Sequence, residues 1–287
     1  MTSPQPGGRR LAHARSSQPV REPQVELLDV GRRLEVRHWP GAPGRTPLLL
    51  CAGIGTSSSL FDLLVDHLDP DRPLIAVNPP GLGASPAPRA PYVMHTMARS
   101  LRIVVDRLGY DRTDILGISW GGALAQQFAF QNPRRCRRVV LVATAMGWLS
   151  VPPSLRTLAR MATPKRHRNP AYAKRIAGDI YGGTARQDPE GVVELLHSAP
   201  SATPVRSYLY QLGAGTGWAS LPALPMVRQP TLVLAGDDDP IIRAANAKIM
   251  AAALPNGRLH LYDGGHLALL SEAAELSPVI ENFLDER

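Results

Sequence analysis

Gly117-Ile118-Ser119-Trp120-Gly121 spells G-x-S-x-G, a pattern that sets a serine hydroxyl between two glycines. The apolar run Asp114-Ile115-Leu116-Gly117 leads into it and Gly121-Gly122-Ala123-Leu124-Ala125 follows, the strand-turn-helix setting of a nucleophile elbow. Small neighbours permit a turn sharp enough to strain the serine backbone and expose its hydroxyl at the carboxyl edge of a sheet. A helix-capping serine is the plain alternative. A hydroxyl is a weak nucleophile until a base takes its proton. Among eight histidines, His266 follows the run Arg258–Tyr262 through Asp263-Gly264-Gly265, a turn able to bring a side chain back over the sheet edge. His260 lies inside that run, and His13, His38, His67, His95, His167 and His197 have no comparable setting. The base in turn needs a carboxylate to fix its tautomer and stabilise the imidazolium. Asp237-Asp238-Asp239, after the run Thr231–Ala235, offers three: Asp239 is the expected partner and Asp238 the alternative, while Asp263 is expected to shape its turn.

An acyl-transfer site also needs two N–H groups aimed at the oxyanion. Trp120, directly after the nucleophile, is one expected donor, and Ile54 in Ala52-Gly53-Ile54-Gly55-Thr56 is the other. The same stretch is a poor dinucleotide loop, because Ser58 stands where the third glycine of G-x-G-x-x-G belongs. With no P-loop lysine and no metal-ligand cluster in the sequence, no cofactor and no metal are expected.

The elements that must position these residues are legible as rhythm. Val25–Val30 and Leu34–Trp39 flank Gly31-Arg32-Arg33 as a hairpin, and short apolar runs then begin at Leu48, Leu74, Asp114 and Val139, as for strands buried on both faces. Helical spacing lies between them, in Met97, Leu101, Val104, Val105 and Leu108, and again after Ser119. Alternating strand and helix means an α/β fold on a mainly parallel sheet. Prolines break that rhythm over 144–225 into short helical pieces, and it resumes at Thr231. The expected organisation is a basic, disordered tail over 1–24, a core over 25–143, a helical cap inserted over 144–225, and the rest of the core over 226–287. Within the cap Trp148, Leu149 and Trp218 are expected to line an acyl pocket.

The net charge of +8 divides between the tail (+3) and residues 151–220 (+5), with no aromatic basic stripe, which argues against a nucleic-acid partner. No apolar run approaches the ~20 residues of a transmembrane helix, and Arg9-Arg10 precede no export-signal core, so a cytoplasmic location is expected. Cys51 and Cys136 are expected as buried thiols. Nothing in the sequence decides the oligomeric state.

The chain order Ser119, Asp239, His266 and the motifs around it resemble the α/β-hydrolases, and among them the intracellular medium-chain-length poly(3-hydroxyalkanoate) depolymerases. The resemblance rests on Asn78–Ser85, Gly117–Phe128, Asp179-Ile180-Tyr181-Gly182-Gly183 and Arg228–Pro240, and it spans most of residues 47–286. It implies a Ser119-Asp239-His266 triad, a polyester granule or ester substrate, and association with storage granules. Ala52-Gly53 stands where many relatives have His-Gly, and Arg134, Arg135, Arg137 and Arg138 exceed what the resemblance implies. The related polyester synthases resemble G-x-C-x-G at the elbow, so serine at position 119 favours hydrolysis over polymerisation. A carboxylesterase or lactonase acting on small soluble esters, and a non-catalytic granule-binding protein, are the alternatives; the complete nucleophile, acid and base argue against the latter.

Overall fold

The computed structural model describes residues 21–197 and 203–286. Gly31, at φ +86°, turns the chain between β1 (Gln24–Asp29) and β2 (Arg33–Trp39), the hairpin expected from the sequence. Strands β3 (Leu48–Cys51), β4 (Leu74–Val77), β5 (Thr113–Ile118) and β6 (Cys136–Val142) follow, and β7 (Thr231–Gly236) and β8 (Gly257–Tyr262) come late in the chain. Together they form an eight-stranded sheet in the order β1-β2-β4-β3-β5-β6-β7-β8. Pairing is antiparallel at β1–β2 and β2–β4 and parallel from β4 onward. Helices α1 (Asp62–Val65), α2 (Met94–Arg107) and α3 (Trp120–Gln131) precede β6. Between β6 and β7 lie α4 (Leu155–Met161), α5 (Lys165–Arg168), α6 (Pro170–Tyr181), α7 (Pro189–His197) and α8 (Val205–Thr216). After β7 come α9 (Ala244–Ala253), α10 (Ala268–Ser271) and α11 (Ala273–Asp285).

Side-chain alternation sorts each central strand between two cores, one on either face. Leu49, Ile115, Val139, Leu141 and Val233 pack with Leu101, Leu124, Phe128 and Met250 from α2, α3 and α9. Leu48, Leu50, Leu116, Val140 and Leu234 pack on the opposite face with Leu64, Leu269, Ile280 and Phe283 from α1, α10 and α11. Apolar burial on both faces, at ~1.5–3 kcal/mol per large side chain, is what makes the carboxyl edge of this sheet a rigid platform.

Among the described residues the segment between β6 and β7 adds no strand to the sheet. It leaves and rejoins the core at a single antiparallel bridge, Gly147 with Ala219, where the Trp148 N–H donates to the Trp218 carbonyl at 3.1 Å. Its breaks are capped locally: the Ser154 hydroxyl accepts from the Thr157 N–H at the start of α4, and the Asn169 side chain from the Tyr172 N–H ahead of Pro170 in α6.

Residues 1–20 of the expected tail lie outside the described residues, and the remainder of that expectation needs correction. Arg21 donates to the carbonyls of Pro40, Asp69 and Arg72, the Trp39 indole donates to the Arg21 carbonyl at 3.0 Å, and β1 already begins at Gln24. A guanidinium that finds three carbonyl oxygens anchors its backbone, a pairing invisible to composition.

Candidate active site

Ser119 occupies the joint between β5 and α3 at φ +55° and ψ −117°, a conformation that is costly for any residue with a side chain. The surroundings hold it there. Its N–H donates to the Val142 carbonyl at 2.9 Å, and its carbonyl accepts from Thr144 Oγ1 at 2.6 Å and the Gly122 N–H at 2.9 Å. A Cβ on Gly121 would stand 2.0 Å from the Cys51 carbonyl oxygen, so the second glycine of the motif is required by the close approach of helix and strand.

The three adjacent acids have three different partners. Asp239, 6% exposed, accepts the N–H groups of Ile241 and Ile242 on Oδ1 at 2.8 and 2.9 Å. Its Oδ2 lies 2.7 Å from His266 Nδ1, which donates to it. Asp238 instead accepts from Arg186 at 2.7 and 2.9 Å and from the Gly183 N–H at 2.7 Å, and the guanidinium holds its carboxyl below the usual range. Asp237 accepts from the Gly264 N–H at 3.2 Å. The geometry therefore brings Asp239 to His266 and leaves the alternative, Asp238, engaged elsewhere.

His266 is also held by the helical segment. Its N–H donates to the Tyr181 carbonyl at 2.7 Å, and the two rings stack with centroids 6.3 Å apart. Gly265 allows this contact, because a Cβ there would meet the Tyr181 carbonyl oxygen at 2.2 Å, and Gly182 lets the segment approach the acid loop, where a Cβ would meet the Asp238 carbonyl oxygen at 1.8 Å. The Asp179–Gly183 motif is thus a clamp on the loops that carry Asp238 and His266.

Neither the Ile54 nor the Trp120 backbone N–H is engaged by an acceptor among the described residues. Their neighbours are fixed by one fully buried side chain that the sequence did not single out. Gln211 of α8 accepts the Gly55 N–H on Oε1 at 2.9 Å, and its carbonyl accepts the Trp120 indole N–H at 2.8 Å. The only local signal is a glutamine in the sequence Tyr208-Leu209-Tyr210-Gln211-Leu212, which does not reveal what the glutamine will touch.

Ser119, His266, Gly53 and Ile54 line a cavity of about 40 Å³, roofed by Met161, Arg166, His167, Tyr181 and Leu196. A second cavity of about 160 Å³ adjoins it, sharing Thr56, Leu60, His167 and Leu196. Trp148, Leu149 and Trp218 line neither. Trp148 is 67% exposed, and the Trp218 indole donates to Gln127 Oε1 at 2.8 Å. All three flank the bridge where the segment joins the core, so apolar size was a misleading guide to the pocket.

Other groups are accounted for by structure. Cys51 and Cys136 are free and buried, and burial pushes both thiols up, away from reactive thiolate. Arg135, Arg137 and Arg138 pair with Asp111, Asp114 and Glu286, and within the helical segment Arg160, Lys174 and Arg186 pair with Asp179, Glu190 and Asp238.

Comparison with known proteins agrees with this arrangement. The α/β hydrolase fold family matches residues 46–273. The chain is 44% identical over 267 residues to a poly(3-hydroxyalkanoate) depolymerase of Ectopseudomonas oleovorans, covering 91% of this chain and 92% of that protein. In fold it is similar to a hydrolase from Pseudomonas aeruginosa PA01, with a TM-score of 0.77 at 24% identity over 92% of this chain and 98% of that one. It is likewise similar to the enol-lactonase of Burkholderia xenovorans LB400, with a TM-score of 0.77 at 22% identity over 89% and 98%. The parallel sheet, its positive-φ serine and this kinship lead to one conclusion: the chain belongs to the α/β-hydrolase fold family, and it is an ester hydrolase.

Proposed function

We propose that the protein depolymerises medium-chain-length poly(3-hydroxyalkanoate) to 3-hydroxy acids or short oligomers through an acyl-enzyme. One observation carries the chemistry: a buried His266 with Nδ1 2.7 Å from a doubly amide-bonded Asp239, lining the same cavity as Ser119. The polyester substrate is inferred from the depolymerase that is 44% identical.

Ser119 Oγ attacks the ester carbonyl carbon while His266 Nε2 takes its proton. The Ile54 and Trp120 N–H groups receive the oxyanion, each worth ~3 kcal/mol, and the first turn of α3 adds a favourable dipole. Collapse of the tetrahedral species breaks the C–O bond, and His266 returns the proton to the departing alcohol. Water then attacks the acyl-enzyme with His266 as base, the acid departs, and the Ser119 hydroxyl is restored. Asp239 holds the imidazole in the tautomer that leaves Nε2 free to accept, and its carboxyl faces the imidazolium that forms.

In this reading the segment over 144–225 is the cap, and the enzyme acts at cytoplasmic storage granules. Among the described residues no helix is long and apolar enough to cross a membrane. The test is release of 3-hydroxy acids from amorphous medium-chain granules by the wild type and by Ser119→Ala, beside a p-nitrophenyl ester series. Serine-dependent release from granules is expected. Serine-dependent turnover of soluble esters alone would replace the polymer with a small ester as substrate.

A further inference from the structure

Three polar side chains of the helical segment line the cavity that holds Ser119 and His266, and each carries an atom with no hydrogen-bond partner among the described residues. They are Arg166 at Nε, His167 at both ring nitrogens, and Tyr181 at its hydroxyl. All are more than nine-tenths buried, at 2%, 6% and 3% exposed. A buried polar atom without a partner is expensive, and a buried cation without a counter-charge more so.

Arg166 is the decisive member. Its Nη1 donates to the Tyr208 hydroxyl at 3.1 Å, and its guanidinium lies 5.6 Å from the centre of that ring. Its electrostatic neighbours are the hydroxyls of Tyr208 and of Tyr181, which lies against the guanidinium, and no carboxylate forms an ion pair with it among the described residues. The residues outside the description, 1–20, 198–202 and Arg287, contain no Asp or Glu side chain that could serve instead. A guanidinium N–H, a tyrosine O–H and the N–H of a neutral imidazole are all donors, and burial beside Arg166 keeps His167 neutral. The complement to such a set is a planar anion able to take several hydrogen bonds at once.

We propose that Arg166, with His167 and Tyr181, is an anion subsite that receives the free carboxylate at the leaving-group end of a short 3-hydroxy acid oligomer. The assignment rests on the ester-hydrolase reading of Ser119. In such an oligomer only two carbons separate the last ester oxygen from the terminal carboxyl group, so both ends of that unit fit within one small cavity. The enzyme then prefers the carboxyl-terminal ester bond, and free-acid oligomers are better substrates than their methyl esters.

The first measurement is calorimetric binding to Ser119→Ala of a medium-chain 3-hydroxy acid dimer, as free acid and as methyl ester. Tighter binding of the acid by tenfold or more is expected, falling to parity in the Ser119→Ala, Arg166→Gln double variant and being partly restored with Arg166→Lys. Equal binding of acid and ester to Ser119→Ala overturns the proposal without reference to any Arg166 variant, so a misfolded variant cannot shelter it. An acid preference that survives Arg166→Gln overturns the role of Arg166. The second measurement is the ratio of kcat/KM for acid over ester, taken within each variant on an active Ser119 background so that a general loss of activity cancels. Chloride or inorganic phosphate competing as well as a 3-hydroxy acid would reduce the subsite to an unspecific anion hole and overturn its assignment to substrate. Loss of granule hydrolysis with the acid preference intact would instead remove the depolymerase reading and leave the subsite standing.

Discussion

Arg72 and Arg166 are 1% and 2% exposed, and the sheet lies between them. Arg72 sits at the amino edge, where it donates to Glu281 and Asp285 at 2.6 and 2.7 Å and stands 4.0 Å from Asp114. Arg137 joins Asp114 at 2.5 Å, and Arg45 bonds Asp69 and Asp285. Asp69, Glu281 and Asp285 converge closely enough to suggest a cation, and the cations they hold are arginines. Arg166, over the carboxyl edge, has tyrosine hydroxyls around it and an unpartnered Nε. Charges that bring their own partners brace the fold. A charge of similar burial that brings none is placed for something that arrives from outside.

That contrast can be attacked from both edges. The largest effect is expected from Ser119→Ala, which should cut turnover by about 10⁵–10⁶-fold while the denaturation midpoint barely moves. Next, Asp239→Asn should lower kcat by about 10⁴-fold through the wrong histidine tautomer. Asp238→Asn, which loses only a half-exposed pair with Arg186, should cost under about 1 kcal/mol of stability; comparable losses of kcat from the two aspartate variants would undo the assignment. At the opposite edge Arg72→Met should destabilise the fold by about 3 kcal/mol in urea titrations, because it strands carboxylates built around a buried cation, yet leave kcat/KM for soluble esters within about twofold. Gln211→Ala, which releases the Gly55 N–H beside Ile54, should reduce kcat about tenfold with KM nearly constant.

The smallest effect disappears at neutral pH. Burial first, then the charges of Arg166 and His197, hold His167 well below the usual histidine value. The unfolded chain therefore binds more protons at this site, so the stability it contributes is present above about pH 6.5 and is lost as pH falls toward the folded-state value. His167→Leu should flatten that slope, leaving wild type and variant further apart in urea midpoint difference at pH 5.5 than at pH 7.5. Parallel slopes would mean that His167 takes up its proton equally in the folded and unfolded chains.

The fold and the Ser119, Asp239 and His266 positions were legible because each depends on local pattern. Buried parallel strands announce themselves as short apolar runs, and the elbow needs small residues at fixed offsets around one serine. The roof of the cavity was not legible. Arg166 and His167 of α5 and Tyr181 of α6 meet over the cavity, and Gln211 of α8 reaches Gly55 beneath it, only after the segment folds onto the sheet edge, and no shared spacing links them. His167 has no strand-to-loop setting in the sequence, and the large apolar Trp148, Leu149 and Trp218 pack beside the Gly147–Ala219 bridge, away from the cavity.

That bridge decouples the length of the roof from the sheet beneath it. Because the helical segment departs and returns through one pair of neighbouring residues, its length is uncoupled from the β6–β7 register, where Val139 pairs with Thr231 and Val142 with Leu234. The entropic cost of a longer or shorter excursion grows only with the logarithm of its length. A roof of another length can therefore be carried over the same sheet edge without disturbing the strand register on which Ser119 depends.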